Sequence, residues 1–341
     1  MSDNTGEPIN VIVAMDFSDA LIEQLRALSP RLNVQRHFPQ VPDSAWRDVE
    51  ILYTLRDYPQ PQQAPRLRWV QLHFAGLERA LQQPIIQSEQ VVVTSASGIH
   101  AQQIANYCLM MMLAFNFKLP RMLQNQRVHG WPEDRYAIFE PEDMHRMTLG
   151  IAGYGSIGRE LARLAKALGM RVLATKRDVK RSSETNVDYA LDGIGDPKGE
   201  IPDRIYPGEA LPTMAAECDF LVLAVPYTED THHMVDARVL EAMKASGILI
   251  NIARGGVVDE EALAAALREK QIGGAALDVF ETEPLPQDSP LWDMNNVIIS
   301  PHVAGNSLHY HQKVADLFTE NLQRYLENRP LLNKLNRSAG Y

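Results

Sequence analysis

Apolar and polar positions along the chain fall into two series of short runs. In the first, strand-like stretches at 11–15, 49–55, 68–74 and 91–94 are interleaved with polar loops and a helical pattern over 18–28. Apolar strands alternating with helices predict a parallel α/β sheet, whose crossovers bury both faces. A long methionine-rich apolar helix is expected over 101–118. A methionine stripe is more often packing surface than cofactor contact, so this helix reads as buried between domains or subunits. A second series follows at 148–152, 171–175, 219–226, 247–253, 275–280 and 296–300, closed by a helix from about 306. Between its strands, 178–207 is polar and broken by Gly193, Gly195, Pro197 and Gly199, which predicts an extended surface loop.

The second series opens on a junction. The strand at 148–152 runs into Gly153-Tyr154-Gly155-Ser156-Ile157-Gly158, then into helical spacing over 159–169 and a further strand at 171–175. In such a β-α-β unit the first glycine permits the tight turn, the second lets backbone approach a pyrophosphate, and the third lets helix pack on strand. Helix N-terminal amides then face the phosphates. An acidic residue roughly 20 positions on is expected to hold the adenosine ribose. Here Lys176 and Arg177 stand at that strand end. Two cations attract a 2′-phosphate, so NADP(H) is expected in preference to NAD(H), with NAD(H) possible. Asp178 is the competing carboxylate, and a plain solvated basic loop is the alternative.

Candidate chemistry sits at strand ends, where open α/β sheets collect ligands. In the first series, Ala75 and Gly76 follow the strand at 68–74, and their amides suit a carboxylate or merely a turn. In the second, Arg254, Glu283 and His302 each follow an apolar strand. Singly, each reads as well as a surface arginine, a solvated acid and a structural histidine. Together they suit hydride transfer between a ketone and an alcohol. A guanidinium offers paired donors to a 2-keto acid's oxygens, an imidazole moves the proton, and a carboxylate orients the ring and favours its charged form. Trp131, in a loop, is expected to line a cleft or to anchor that loop.

With these residues in view, the chain resembles the D-isomer-specific 2-hydroxyacid dehydrogenase family over nearly its whole length. The resemblance rests on the Gly153 to Gly158 motif, Val225-Pro226-Tyr227-Thr228 before Thr231-His232, Asn251-Ile252-Ala253-Arg254-Gly255, Asp278-Val279-Phe280-Glu281-Thr282-Glu283-Pro284, and Ser300-Pro301-His302. It implies an α/β fold of two parallel-sheet domains. A Rossmann dinucleotide-binding domain, 105–305, is inserted into a flavodoxin-like substrate domain, 1–104 plus 306–341, with a hinged cleft between.

The resemblance also implies reversible NAD(P)H-dependent reduction of a 2-keto acid to a D-2-hydroxy acid. Arg254 binds substrate, His302 is the acid/base, Glu283 tunes it, and the Ala75-Gly76 turn takes the substrate carboxylate. Cofactor contacts fall on Gly153, Tyr154, Gly155, Ser156, Ile157, Lys176, Arg177, Val225, Pro226, Thr231, Ile252, Ala253, Arg254, Asp278 and His302, with Asp278 at the nicotinamide carboxamide. A homodimer through the cofactor domains is implied. The Leu331-Leu332-Asn333 and Gly340-Tyr341 tail is similar to that of the glyoxylate and hydroxypyruvate reductase-like branch. Lys176-Arg177 in place of the usual acid, and Asn106 where many members carry glutamate, depart from the pattern. Formate or phosphite oxidation, and a dinucleotide-sensing scaffold like the C-terminal binding protein corepressors, are the competing readings.

Composition narrows the partners. A net charge of −10, with 45% hydrophobic and 22% charged residues, suits a globular protein and disfavours nucleic acid and anionic membranes. Cys108 and Cys218 form no disulfide framework or zinc pattern, and the adjacent His232 and His233 diverge, so no metal is expected. The polar opening lacks the features of a secretory leader and the longest apolar run, 107–115, is short of a membrane span. A cytoplasmic setting is the expectation.

Overall fold

The computed structural model describes residues 6–177, 179 and 189–337. The chain divides into two compact units. One comprises Met1–Ile99, Thr185–Leu191 and Ser307–Tyr341, and the other His100–Glu184 and Asp192–Asn306.

The first unit is built on a five-stranded parallel sheet of β1 (Ile9–Ala14), β2 (Leu32–Arg36), β3 (Ile51–Thr54), β4 (Trp69–Leu72) and β5 (Val92–Thr94). The strand order β2-β1-β3-β4-β5 is the flavodoxin-like order. Side chains alternate between two cores: Val11, Val13, Ile51, Tyr53 and Trp69 on one face, Ile12, Ala14, Leu52 and Val70 on the other. The C-terminal helix, Tyr310–Leu326, closes the first face with Val314, Leu317, Phe318 and Leu322. Its buried Asn321 is satisfied by Gln71 and by both backbone groups of Leu332, which ties the helix to the segment that follows it.

The second unit carries seven parallel strands: β6 (Thr148–Ala152), β7 (Arg171–Thr175), β8 (Arg204–Tyr206), β9 (Phe220–Leu223), β10 (Ile248–Asn251), β11 (Gly274–Leu277) and β12 (Val297–Ile299). The order β12-β11-β10-β9-β6-β7-β8 is the doubly wound Rossmann order, and its direction reverses between β6 and β9. Leu221, Leu223 and Leu249 enter one core while Phe220, Val222, Ile248 and Ile250 enter the other, so both faces are buried. Helix Ser156–Ala167 follows β6 and packs Leu161, Ala162 and Ala165 against Tyr107, Cys108 and Met111 of helix Ala101–Asn116. Truncating a fully buried leucine such as Leu161 to alanine costs about 2–5 kcal/mol.

Two expectations change, at the stretch 178–207 and at Trp131. The stretch 178–207 is not all loop: β8 pairs Arg204, Ile205 and Tyr206 with Leu173, Ala174 and Thr175, and Asp196 is buried. Ile205-Tyr206 is too short an apolar run to show as a strand against so many breakers. Part of this stretch, including Asp178, lies outside the described residues. Helix Ala101–Asn116, expected to be buried between domains or subunits, packs one side within its own unit. Met110 is 52% exposed and, with Phe117, Leu119 and Met122 of the adjoining turn and helix, lines an open apolar groove of about 550 Å³. Trp131, expected to line a cleft or anchor a loop, is 84% exposed. No helix among the described residues is long and apolar enough to cross a membrane.

Candidate active site

The glycine turn sits at the carboxyl end of β6, beside the point of strand-order reversal. Gly153 has φ +99, and a Cβ there would fall 2.6 Å from the Ala224 carbonyl oxygen after β9. A Cβ on Gly158 would fall 2.5 Å from the Gly153 oxygen. Among the described residues, nothing lies within 4 Å of a Cβ added at Gly155. The turn therefore needs glycine twice for close packing and leaves an open backbone surface at the helix N-terminus, which fits a pyrophosphate. Ser156 and Ile157 begin the helix.

The flanking strand ends supply the rest of this rim. Val225 Cγ1 would lie 3.0 Å from a Cβ on Gly153. Thr231 donates to the Pro226 carbonyl at 2.7 Å and accepts from the Thr228 amide at 2.8 Å, closing 225–231 into a tight loop. Lys176 and Arg177 follow β7, and the Lys176 amide is bound to the Tyr206 carbonyl at 3.0 Å.

Strands β10, β11 and β12 are neighbours, so the segments after them emerge side by side. Asn251 shapes the first, its amide donating to the Arg254 carbonyl at 3.0 Å and its oxygen accepting from the Ala253 amide at 3.1 Å. Ile252 and Ala253 are buried, Arg254 is half-buried, and one guanidinium nitrogen donates to the Ala253 carbonyl at 2.7 Å. A Cβ on Gly255 would collide with the Phe280 carbonyl carbon at 1.8 Å, so the Arg254 segment lies directly on the one that carries Glu283.

That second segment turns back on itself. Glu283 accepts from the Phe280 amide at 3.1 Å with one oxygen and meets His302 Nδ1 at 2.8 Å with the other. His302 has left-handed backbone geometry, φ 55, and its segment is pinned by Asp278. Asp278, 2% exposed, accepts from Ser300 Oγ at 2.5 Å, the Val303 amide at 2.9 Å and the Ala304 amide at 2.9 Å. Tyr107 Oη lies 2.6 Å from Ser300 Oγ, and burial holds that phenol well above its ordinary pKa although the serine bond opposes the shift. Neither Ser300 nor Tyr107 stood out as a supporting residue in the sequence. The signal available was Ser300's place immediately before Pro301-His302.

The geometry thus brings Arg254, Glu283, His302 and Asp278 to one end of one sheet. Ala75 and Gly76 belong to the first unit, after β4, where Gly76 is exposed and Ala75 half-buried. His232 and His233 are engaged by the Gly256 carbonyl and by Glu281, respectively. Among the described residues no three His, Cys, Asp or Glu side chains cluster in a way that would hold a metal ion.

Known proteins similar to this chain fall in one family. Residues 109–304 match the model of the D-isomer specific 2-hydroxyacid dehydrogenase, NAD binding domain. A glyoxylate reductase of Thermococcus gammatolerans is 34% identical over 284 residues, covering 81% of this chain and 79% of that protein. An (S)-sulfolactate dehydrogenase of Chromohalobacter salexigens is 35% identical over 266 residues, covering 77% and 78%. The structure is similar, with TM-score 0.78 and 28% identity over 98% of this chain and 100% of the other, to a D-isomer specific 2-hydroxyacid dehydrogenase from Xanthobacter autotrophicus Py2 solved with NADPH and MES. The chain belongs to the D-isomer-specific 2-hydroxyacid dehydrogenase family, in its glyoxylate/hydroxypyruvate reductase branch.

Proposed function

We propose that this enzyme uses NADPH in preference to NADH to reduce a small 2-keto acid, and that Arg254, His302 and Glu283 carry the chemistry. NAD(P)H-dependent 2-keto acid reduction is the reaction of its family. The observation that carries the residue assignment is the 2.8 Å contact between Glu283 and His302 Nδ1. With Nδ1 held by the carboxylate, Nε2 is the ring atom that delivers a proton to the substrate carbonyl oxygen. Arg254 binds the carboxylate and carbonyl oxygens of the substrate with paired donors, and the Ala75-Gly76 amides take the carboxylate. The reduced dinucleotide supplies the hydride when it is bound. A carboxylate has about four lone-pair sites. Three donors already occupy Asp278, which leaves one site for a carboxamide N–H while the same side chain fixes the His302 segment.

The preference for NADPH is supported by Lys176 and Arg177 standing directly after β7, where a ribose-binding acid would favour NAD(H). The relative from Xanthobacter was solved with NADPH. We assign the apolar groove of Met110, Phe117 and Met122 to a second copy of this chain, giving a homodimer through the cofactor-binding units. Both cysteines are free and buried, which suits a reducing cytoplasm.

The test is the fall in NADPH or NADH absorbance with purified protein and a panel of glyoxylate, hydroxypyruvate and pyruvate. The proposal expects turnover, faster with NADPH. Tight dinucleotide binding without turnover on any acid would move the assignment to a sensing scaffold.

A further inference from the structure

The segment that precedes β8 is docked on the glycine turn itself. Asp196, 5% exposed, accepts four hydrogen bonds: Tyr154 Oη at 2.6 Å and the amides of Gly199, Glu200 and Ile201 at 3.0, 3.1 and 3.0 Å. Burial works against its charge, but the Tyr154 hydroxyl and the three amides outweigh it, and the carboxyl lies below its ordinary pKa. The Asp196 carbonyl accepts from the buried Arg159, whose guanidinium lies 4.8 Å from the centroid of the Tyr154 ring. Next to it, the Gly195 amide donates to Glu160 at 2.7 Å, and Glu160 is gripped by Arg163 at 2.8 and 2.7 Å.

Tyr154 is the residue between Gly153 and Gly155. Two flanking glycines give the turn little stiffness of its own, since glycine gains most freedom when it is not held. Tyr154 is 3% exposed, and its amide donates to the Thr175 carbonyl at 3.2 Å. Its ring is therefore the handle by which the surrounding structure fixes the peptides on either side.

We propose that Asp196 is a positioning residue for the dinucleotide, holding the Tyr154 hydroxyl and through it the Gly153–Gly155 backbone in the conformation that presents the helix N-terminal amides to a pyrophosphate. The inference rests on the reading that this turn binds NAD(P)(H). Preorganisation of this kind lowers the cost of binding and leaves the chemical step alone. The glycine-broken stretch 192–203 ahead of β8 thereby serves as a strap on the cofactor turn.

The test is fluorescence titration of NADPH with the whole chain as Tyr154→Phe, Asp196→Asn and the double variant. Each single change should raise the NADPH Kd about tenfold, as expected for one charge-assisted hydrogen bond. The double variant should raise Kd scarcely further, because both changes act on the turn through the same Tyr154–Asp196 hydrogen bond. In Asp196→Asn, KM for the keto acid and kcat at saturating NADPH should not move. Tyr206→Phe is the control, since it removes a comparable hydroxyl whose partner, at 2.6 Å, is Glu217 and not a residue of the turn, and it should leave Kd unchanged. If Asp196→Asn fails to fold, Tyr154→Phe decides alone, because it removes one oxygen from an otherwise intact ring. An unchanged Kd in Tyr154→Phe, or an equal rise in Tyr206→Phe, would overturn the inference. Wild-type protein that binds neither NADPH nor NADH would overturn instead the reading of the turn on which it rests.

Discussion

Glu283 Oε2 lies 2.8 Å from His302 Nδ1, on segments that follow two adjacent strands. Phe280 fixes the carboxylate from one side through its amide, and Asp278 fixes the histidine segment from the other. The ring is therefore held at Nδ1, which leaves Nε2 for the proposed proton transfer. Glu283→Gln preserves shape but replaces a charge-assisted bond by a neutral one about half as strong. Steady-state kinetics should show kcat lowered by roughly tenfold, about 1.4 kcal/mol in the barrier, with the NADPH Kd unchanged.

Cofactor preference is tested at the end of β7. Lys176→Asp places a carboxylate where the ribose hydroxyls of NAD(H) are expected and opposes a 2′-phosphate. The ratio of kcat/KM for NADPH over NADH should fall by roughly tenfold or more, as for loss of a charged hydrogen bond. A constant ratio would mean that the basic pair is only a surface loop.

The apolar groove predicts an assembly. Met110 is 52% exposed at its edge, so Met110→Glu puts a charge into any interface built there. Sedimentation should give twice the 38.3 kDa chain mass for the wild type and a shift towards one chain for the variant.

Acid should loosen the strap. Glu160 is buried, which raises its pKa, but the Arg163 side chain and the Gly195 amide win, and the net pKa lies below the ordinary 4.5. A carboxyl depressed in the folded state stabilises the fold above its unfolded value and loses that stabilisation as pH falls through the folded one. Glu160→Gln should therefore lower Tm at pH 7, and the gap from wild type should narrow below about pH 4.

Much of the fold, and the gathering of the candidate residues at one sheet end, was legible in the sequence because strong periodicity and glycine placement leave few alternatives. The strands that became β6, β7, β9 and β10 are long apolar runs, and Gly153, Gly155 and Gly158 stand where the strand-order reversal puts an open helix N-terminus. Other elements were hidden. Strand β2, Leu-Asn-Val-Gln-Arg, buries only Leu32 and Val34 and so looks polar. β8 is three residues at a sheet edge, and its docking segment is fixed by Asp196 and Glu160 rather than by apolar pattern. The Tyr107–Ser300–Asp278 chain joins residues far apart in sequence, a relation that no spacing rule reports. Helix Ala101–Asn116 showed its apolar content but not that Met110 faces outward.

The most direct test of the account is His302→Ala, assayed for turnover with NADPH and a 2-keto acid beside a fluorescence titration of NADPH. The account predicts kcat lowered roughly 10²–10⁴-fold, the contribution of a positioned acid/base, with the NADPH Kd within about twofold of wild type. Turnover at the wild-type rate would contradict it, since the proton would then come from another group.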